Sequence, residues 1–512
     1  MSLMTRSSTV DGIIRRSART FRDRPATVFA DRTLSYAELD DAVSRAAAHL
    51  IGLGLTKGDR IAAYGKNSDA YLIGFLACAR AGLVHVPLNY NLTGAELSYL
   101  ITQSGSRTIL HDPALAGHLD LLDPDALAQL EHRVPLRDAD GCLMEVALTG
   151  AVPKIDVEVA DSDTAQFLYT SGTTSRPKAA IMSHRALVHE YVSCLVALDL
   201  APDDNPLHVM PLYHSAQMHV FLVPWLAVGA TNTILEVPDA GEVLRRIEQD
   251  GHRAFFAAPT LWVAMANHAD FDSRDLSGLG KAYYGASIMP VPVLNRIQAK
   301  APSLGFYNCF GQSEVAPLAT VLRPEEHADR PDSAGRPVLF VEARVVDPEG
   351  HDVAPGETGE VVYRSPQLCD GYWNNREATQ EAFTGDWFHS GDLVRIDAEG
   401  YLFVVDRIKD VINTGGVLVA SREVEDALYT HPAVAEVAVV GAPDEKWVEA
   451  VTAFVVPKAE VTEADLIDHV RATLASFKIP KRITFVESLP RNASGKILKR
   501  ELRGSEGSVT RG

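Results

Sequence analysis

The chain is 512 residues long, too long for one simple core, so two or more domains are expected. Its composition, 46% hydrophobic and 22% charged, is that of an ordinary folded protein, and its formal net charge of −19 argues against general binding to nucleic acid or to anionic membrane surfaces. No apolar run approaches the ~20 residues of a membrane helix. The start, MSLMTRSSTVDG, has no apolar signal core, so a cytoplasmic enzyme is expected. Cys78, Cys142, Cys194, Cys309 and Cys369 form no C-x-x-C pair, so neither a disulfide framework nor a zinc site is indicated.

From Leu34 the pattern alternates. Ser35 and Glu38 make a capping box, and Leu39, Val43, Ala46, Ala47 and Leu50 follow at helical spacing until Gly52 and Gly54 stop the helix. Residues 60–64 read as a strand, 68–80 as a helix and 84–87 as a strand; Thr93 with Glu96 repeats the capping box before a helix ending near Ser104, and 107–111 is again a strand. This β-α-β-α order predicts an α/β fold with a doubly wound, mainly parallel sheet and right-handed crossovers. Residues 113–161 are acidic, poorly periodic and predict no element. Ser183 then caps a helix through about Leu198, and strands recur at 207–210, 231–235, 253–258, 281–284 and 305–308.

Past Pro337 the texture changes to short β-branched strands with Gly/Pro turns, at 341–346, 359–364 and 401–406, which read as a small β-barrel or sandwich. From about Asp410 a helix at 422–429, strands at 434–440 and 448–457, a helix at 463–474 and a strand at 482–486 make a small α+β piece, large enough for an independent lid. The expected domains are therefore 1–408, with the barrel-like part at about 337–406, then the lid at 409–504 and a disordered tail at 505–512.

Several stretches carry chemistry. Residues 167–178 read FLYTSGTTSRPK: a strand end, then hydroxyls, a Gly and a Lys, which together make an anion cradle at the carboxyl end of a strand. It is not the G-x-x-x-x-G-K-[ST] phosphate loop, since no Gly precedes Lys178 and no Ser or Thr follows it. Residues 307–314, YNCFGQSE, put an aromatic and an acid on a Gly-bounded turn after another strand, which suits a stacked purine and a held cation. Residues 387–392 read WFHSGD, and a carboxylate after Gly can accept two hydrogen bonds from a cis diol. Residues 406–416 run DRIKDVINTGG, residues 490–498 run PRNASGKIL, and residues 211–214 run PLYH before a largely apolar stretch.

TSGTTSRPK closely resembles the phosphate-binding signature of the adenylate-forming (AMP-binding) enzymes, and the other stretches resemble that superfamily's remaining motifs, in the same order, from about Leu34 to Leu502. The resemblance is to its acyl-CoA synthetase, or fatty-acid–CoA ligase, branch. It implies that Thr170, Ser171, Gly172, Thr173, Thr174 and Lys178 bind the phosphates, and that Ala286, Ser287, Asn308, Phe310, Gly311, Gln312 and Ser313 border the adenine. Asp392 and Arg407 are then assigned to the ribose side, and Thr174 and Glu314 to Mg²⁺. Lys496 is the implied catalytic ammonium, His214 is placed with it among the catalytic residues, and Lys409 is the hinge of the lid. Gly415, Gly416 and Trp447 would line the passage for the CoA thiol, and His214, Tyr284, Gly285, Cys309 and Ala316 the acyl pocket.

The implied reaction makes an acyl-AMP from ATP and a carboxylic acid, a medium- or long-chain fatty acid being the expected one, and then passes the acyl group to CoA. An acyl-AMP ligase loading a carrier protein, an aryl-acid CoA ligase and a catalytically idle nucleotide-binding relative stay open, as does a homodimeric state. Ser175 and Ala179 stand where the family usually has Gly, Val448 where Gly is frequent, and VLVASR at 417–422 lacks the usual Pro-Ala before Glu423.

Overall fold

The computed structural model describes residues 8–170, 176–285, 287, 289–444, 447–491 and 497–505. The chain divides into two compact units, Met1–Glu342 with Tyr363–Phe388, and Ala343–Val362 with His389–Gly512.

The first unit is built on two sheets. In a six-stranded sheet, Arg60–Tyr64 lies between Val84–Leu88 and Ser106–His111, all parallel, and Val84–Leu88 pairs in parallel with Thr164–Thr170. The last strand, Lys178–Ser183, returns antiparallel. A nine-stranded sheet carries Pro206–His208, Asn232–Ile234, Ala254–Phe256, Lys281–Gly285 and Gly305–Gly311 in parallel, with antiparallel strands at its edges. The doubly wound, mainly parallel architecture is as expected. The helix Tyr36–Gly52 starts on the capping box, with Ser35 Oγ accepting from Glu38 N–H and the Glu38 carboxylate accepting from Ser35 N–H. Its buried face of Leu39, Val43, Ala46, Ala47 and Leu50 is the one the periodicity predicts.

Three readings are corrected. The helix Gly94–Ser104 forms, but Thr93 makes no capping bond; Gly94 enters the helix at φ 51°, a left-handed start that does not present N3 to the hydroxyl. The featureless stretch 113–161 contains the helices Ala116–Leu119, Pro124–Gln129 and Leu143–Leu148 and the strand His132–Pro135, which extends the six-stranded sheet in parallel. Such elements are too short to complete a readable period. The helix Val10–Thr20 and the hairpin Pro25–Phe29 with Arg32–Ser35 precede the first element the pattern predicts.

In the second unit, Trp387–Ile396 pairs antiparallel with Leu402–Arg407, within a five-stranded sheet. A further sheet joins the hairpin Val434–Asp444 and Val448–Pro457 to Arg482–Phe485 and to the hairpin Ile412–Thr414 and Val417–Val419. Helices Ser421–Tyr429 and Glu463–Arg471 bury Val424, Leu428, Leu466 and Val470 against it. The cysteines are all free, and no helix among the described residues is long and apolar enough to cross a membrane.

A buried imidazole network crosses the first unit. Gln166, opposite His85 in the parallel register, donates to His85 Nδ1 at 2.9 Å and accepts from His219 Nε2 at 2.7 Å, and Tyr191 OH lies 2.9 Å from His219 Nδ1. Gln217 donates to His208 Nδ1 at 2.8 Å, which turns its Nε2–H toward Asn232 Oδ1 at 3.0 Å. Burial pushes His85, His208 and His219 each down to about 3. Their folded pKa values lie below the unfolded value, so their contribution to stability is fully present above pH 6.5 and is lost as pH falls from there toward 3. Denaturant unfolding should therefore lose up to about 1.4 kcal/mol per histidine per pH unit below that point. His219→Gln should flatten the slope by close to one proton; an unchanged slope would mean that His219 is not held neutral.

Candidate active site

The antiparallel register sets Thr170 opposite Lys178 at the carboxyl end of the strand Thr164–Thr170. Ser171, Gly172, Thr173 and Thr174 lie outside the described residues, as do Ser175, Ala286 and Lys496. Ala179 is a fully buried strand residue paired with Tyr169. Residues 370–373 run along the same strand: Asp370 N–H donates to the Ile181 carbonyl at 2.9 Å, Ile181 N–H to Gly371 at 3.0 Å, and Trp373 N–H to Ala179 at 2.9 Å.

This places Tyr372, which no sequence motif marked. Its ring centroid is 5.5 Å from Lys178 Nζ, and its hydroxyl donates to Glu314 Oε1 at 3.0 Å. The phenol is pushed up, first by burial and then by the Glu314 charge. Only the Gly-Tyr-Trp sequence at 371–373 could have signalled it.

Strands Lys281–Gly285 and Gly305–Gly311 lie side by side, with Tyr284 opposite Asn308 and Gly285 opposite Cys309. A Cβ on Gly285 would meet the Cys309 carbonyl oxygen at 2.2 Å, so the close approach of these two strand ends requires glycine. Ser287, beyond Gly285, is exposed. Phe310 is half-buried at the end of its strand, and the Asn308 amide donates to the Ser333 carbonyl at 3.0 Å. Gln312 Nε2 is buried without a hydrogen-bond partner among the described residues. An orphaned donor beside the expected purine ring fits a ligand that brings an acceptor.

Ser313 Oγ lies 3.2 Å from Ser215 Oγ, which draws the PLYH segment to the Phe310–Glu314 turn. Burial lowers the pKa of His214, favouring neutral imidazole, and its ring is 5.6 Å from Tyr213, which makes an edge contact with Tyr90 at 5.4 Å. Tyr284 OH is 3.0 Å from His327 Nε2. Ala316, at φ 76°, turns the chain just past Glu314. The structure thus assembles Gly285, Cys309 and Tyr284 on two adjacent strands, and His214 beside the turn that carries Glu314.

For a metal, the described residues offer no cluster of three or more His, Cys, Asp or Glu. At the turn after Gly305–Gly311 they offer the carboxylate of Glu314, 7% exposed. That set does not make a protein-only cage, but it fits Mg²⁺, which keeps most of its waters and is held by one or two carboxylates together with substrate phosphates.

In the second unit Asp392 is nearly buried in mid-strand, opposite Arg407 across the antiparallel pair, with Arg407 Nε 2.5 Å from Asp392 Oδ1. Ser390 Oγ accepts from Asp392 N–H at 3.0 Å, and Gly391 N–H donates to Glu360 at 2.8 Å. Asp406 accepts from Ser421 N–H at 2.5 Å and from its hydroxyl at 2.8 Å, which ties the strand end to the helix Ser421–Tyr429; the sequence reading quotes this residue within DRIKD but gives it no role. Lys409 sits in a single turn, Ile408–Asp410, and its carbonyl accepts from Arg503 at 3.0 Å.

Gly415 and Gly416 form the two-residue turn between Ile412–Thr414 and Val417–Val419, at φ 65° and 88°, as a twist-matched hairpin turn requires. Gly415 N–H donates to the Trp447 carbonyl at 2.5 Å, so the expected passage residues are neighbours. Val448 follows at φ 68° and is 63% exposed, pairing with Asp444 where the hairpin loop closes. Lys478 is held by Glu423 at 2.5 Å and Arg482 by Asp444 at 3.1 Å.

A family model described as AMP-binding enzyme matches residues 14–373, and one described as AMP-binding enzyme C-terminal domain matches residues 423–496. A feruloyl-CoA synthase from Amycolatopsis sp is 37% identical over 490 residues, 95% of this chain and 97% of that protein. The long-chain-fatty-acid–CoA ligase FadD13 of Mycobacterium tuberculosis is 33% identical over 92% of this chain and 93% of its own length. Among solved structures, ATP-bound MatB from Rhodopseudomonas palustris superposes with a TM-score of 0.89 at 29% identity, over 98% of this chain and 100% of that one. The chain belongs to the AMP-binding enzyme family, the adenylate-forming enzymes its motifs resemble, in their acyl-CoA synthetase branch.

A β-branched residue in the left-handed region carries about 1–2 kcal/mol of strain. Val448→Gly should accordingly raise stability by about 0.5–1 kcal/mol after the entropy glycine costs, read as a higher thermal midpoint; a lower midpoint would mean that the valine side chain makes packing worth more than its strain.

Proposed function

We propose that the chain is an ATP-dependent acyl-CoA synthetase whose acid carries an aromatic ring. The observation that carries the reaction class is the constellation of Thr170, Lys178, Tyr372 and Glu314: a phosphate cation and a single carboxylate at the end of one strand pair. ATP is taken with its phosphates at Thr170, Lys178 and the segment between them, and its purine against Phe310 with the Gln312 amide within reach. Asp392, oriented by Arg407, is the carboxylate suited to accept from the ribose hydroxyls. Glu314, with Thr174, would hold Mg²⁺, which supplies neutralising charge along the phosphates when bound.

The acid's carboxylate oxygen attacks the α-phosphorus and pyrophosphate leaves, giving acyl-AMP. Two anions meet in that step, and the Lys496 ammonium offsets the charge that builds on the phosphoryl oxygens. The thiol then attacks the activated carbonyl carbon, a C–S bond forms, and AMP leaves. Gly415, Gly416 and Trp447 border the thiol's approach. Residues 409–504 move as a lid about Lys409 so that Lys496 and the glycine turn serve the two steps in succession.

Support for an aromatic acid comes from the feruloyl-CoA synthase relative and from the aromatic row of Tyr90, Tyr213 and the uncharged His214 beside the Ser215–Ser313 contact. Stacking on such edges rewards a ring more than a flexible chain, which must also be ordered. The second reading is the medium- or long-chain fatty acid expected from the sequence, favoured by the likeness to FadD13.

ATP–pyrophosphate exchange across a panel of hydroxycinnamic, benzoic and C8–C18 fatty acids decides between the two. Exchange is expected with the ring-bearing acids and should fall at least about 100-fold in Lys496→Ala, the scale of losing one transition-state charge contact; exchange with the fatty acids alone reverses the order of the readings, and exchange with none contradicts both. Lys409→Pro should slow thioester formation while leaving exchange close to wild type. Equal rates for both steps in wild type and variant would remove the hinge role.

A further inference from the structure

A chain of buried contacts in the first unit lies outside the chemistry described so far. Glu190, on the helix His184–Ala197, is fully buried, and burial pushes its carboxyl well above the usual range. Its Oε1 accepts from Leu318 N–H at 3.0 Å and from the Cys194 thiol at 3.3 Å, and its Oε2 accepts from the Gln367 amide at 2.6 Å. Gln367, also fully buried, points the same nitrogen at the carbonyls of Val315 and Leu318, at 3.3 and 3.2 Å, and accepts from Ser193 Oγ at 2.6 Å. The turn just past Glu314 is therefore pinned from two sides. Two residues beyond Gln367, Cys369 N–H donates to the Glu314 carbonyl at 2.8 Å. Tyr372 then reaches the Glu314 carboxylate with its hydroxyl and Lys178 with its ring, while its own N–H donates to Thr379 Oγ1 at 2.9 Å.

The geometry points to Tyr372 as a positioning residue for nucleotide binding, braced by the Glu190–Gln367 pair. Among the described residues no ion pair joins Lys178 to Glu314; both touch Tyr372 instead. An ammonium and a carboxylate that paired with each other would each have less to offer a ligand. With the tyrosine touching both, the ammonium stays available to phosphate oxygens and the second carboxylate oxygen to Mg²⁺. This inference rests on the proposed reading of Lys178 as the phosphate cation and Glu314 as the Mg²⁺ carboxylate.

The test is ATP affinity of the full chain, by displacement of a fluorescent ATP analogue with and without saturating Mg²⁺, alongside thermal midpoints. Tyr372→Phe keeps the ring under Lys178 and removes only the hydroxyl. It should leave Mg²⁺-free affinity within about twofold and cut the Mg²⁺ enhancement about fivefold, the value of one hydrogen bond. Tyr372→Leu removes the ring as well and should also weaken Mg²⁺-free affinity, about threefold. Gln367→Leu, remote from the nucleotide, should reproduce the loss of Mg²⁺ enhancement. A Tyr372→Phe variant that keeps its full Mg²⁺ enhancement overturns the proposal, as does one that loses thermal stability with both affinities intact, since that is a structural role only. A wild type whose ATP affinity ignores Mg²⁺ overturns the Glu314 reading itself, and the proposal with it.

Discussion

The antiparallel rung that sets Thr170 opposite Lys178 is the constraint on which the first unit's site depends. The other described pairings in the six-stranded sheet are parallel, and a parallel crossover would carry the chain away from the carboxyl end of Thr164–Thr170 before returning it at the opposite end. The antiparallel return instead brings Lys178 back to the edge that Thr170 has just left. Whatever lies between them is then held at both ends by one ladder, and the same strand offers its far edge to residues 370–373. Lys178 and the aromatic residue beside it are thus fixed by backbone hydrogen bonds, not by side-chain packing alone.

Charge explains why such local fixing is needed. A chain of net charge −19 repels a triphosphate at long range, so the ligand must be met by cations already in place. Within their own units Lys178 and Arg407 are each held beside a partner, the Tyr372 ring and the Asp392 carboxylate. Burial favours the neutral imidazole of His214, and the Gly285–Cys309 approach brings two strands together without a side chain between them.

What was legible in the sequence follows the length of each signal. The helix Tyr36–Gly52 was readable from its capping box and periodic apolar face, and the strand Val448–Pro457 from its length and its many β-branched residues. The elements within 113–161 are three to six residues each, and most are anchored by a single buried residue that no periodicity encodes. In the site, Lys178, Glu314, Asp392, Gly415 and Gly416 stood out through motif resemblance, and the structure brings Asp392 to Arg407 and the glycine turn to Trp447. Tyr372, Gln367 and Glu190 did not stand out, and Asp406 was quoted only as part of a stretch. Their roles depend on partners between 15 and 177 residues away, and a separation of that size leaves no local spacing to read.

The central claim is that the acid is activated by bonding its own oxygen to the α-phosphorus of ATP. Turnover of ¹⁸O-carboxylate acid with ATP and CoA, followed by mass analysis of the nucleotide, tests it most directly. The account predicts one ¹⁸O in the phosphate of AMP and none in pyrophosphate. Label appearing in orthophosphate, with ADP as the nucleotide product, would contradict it and assign the chain an acyl-phosphate route.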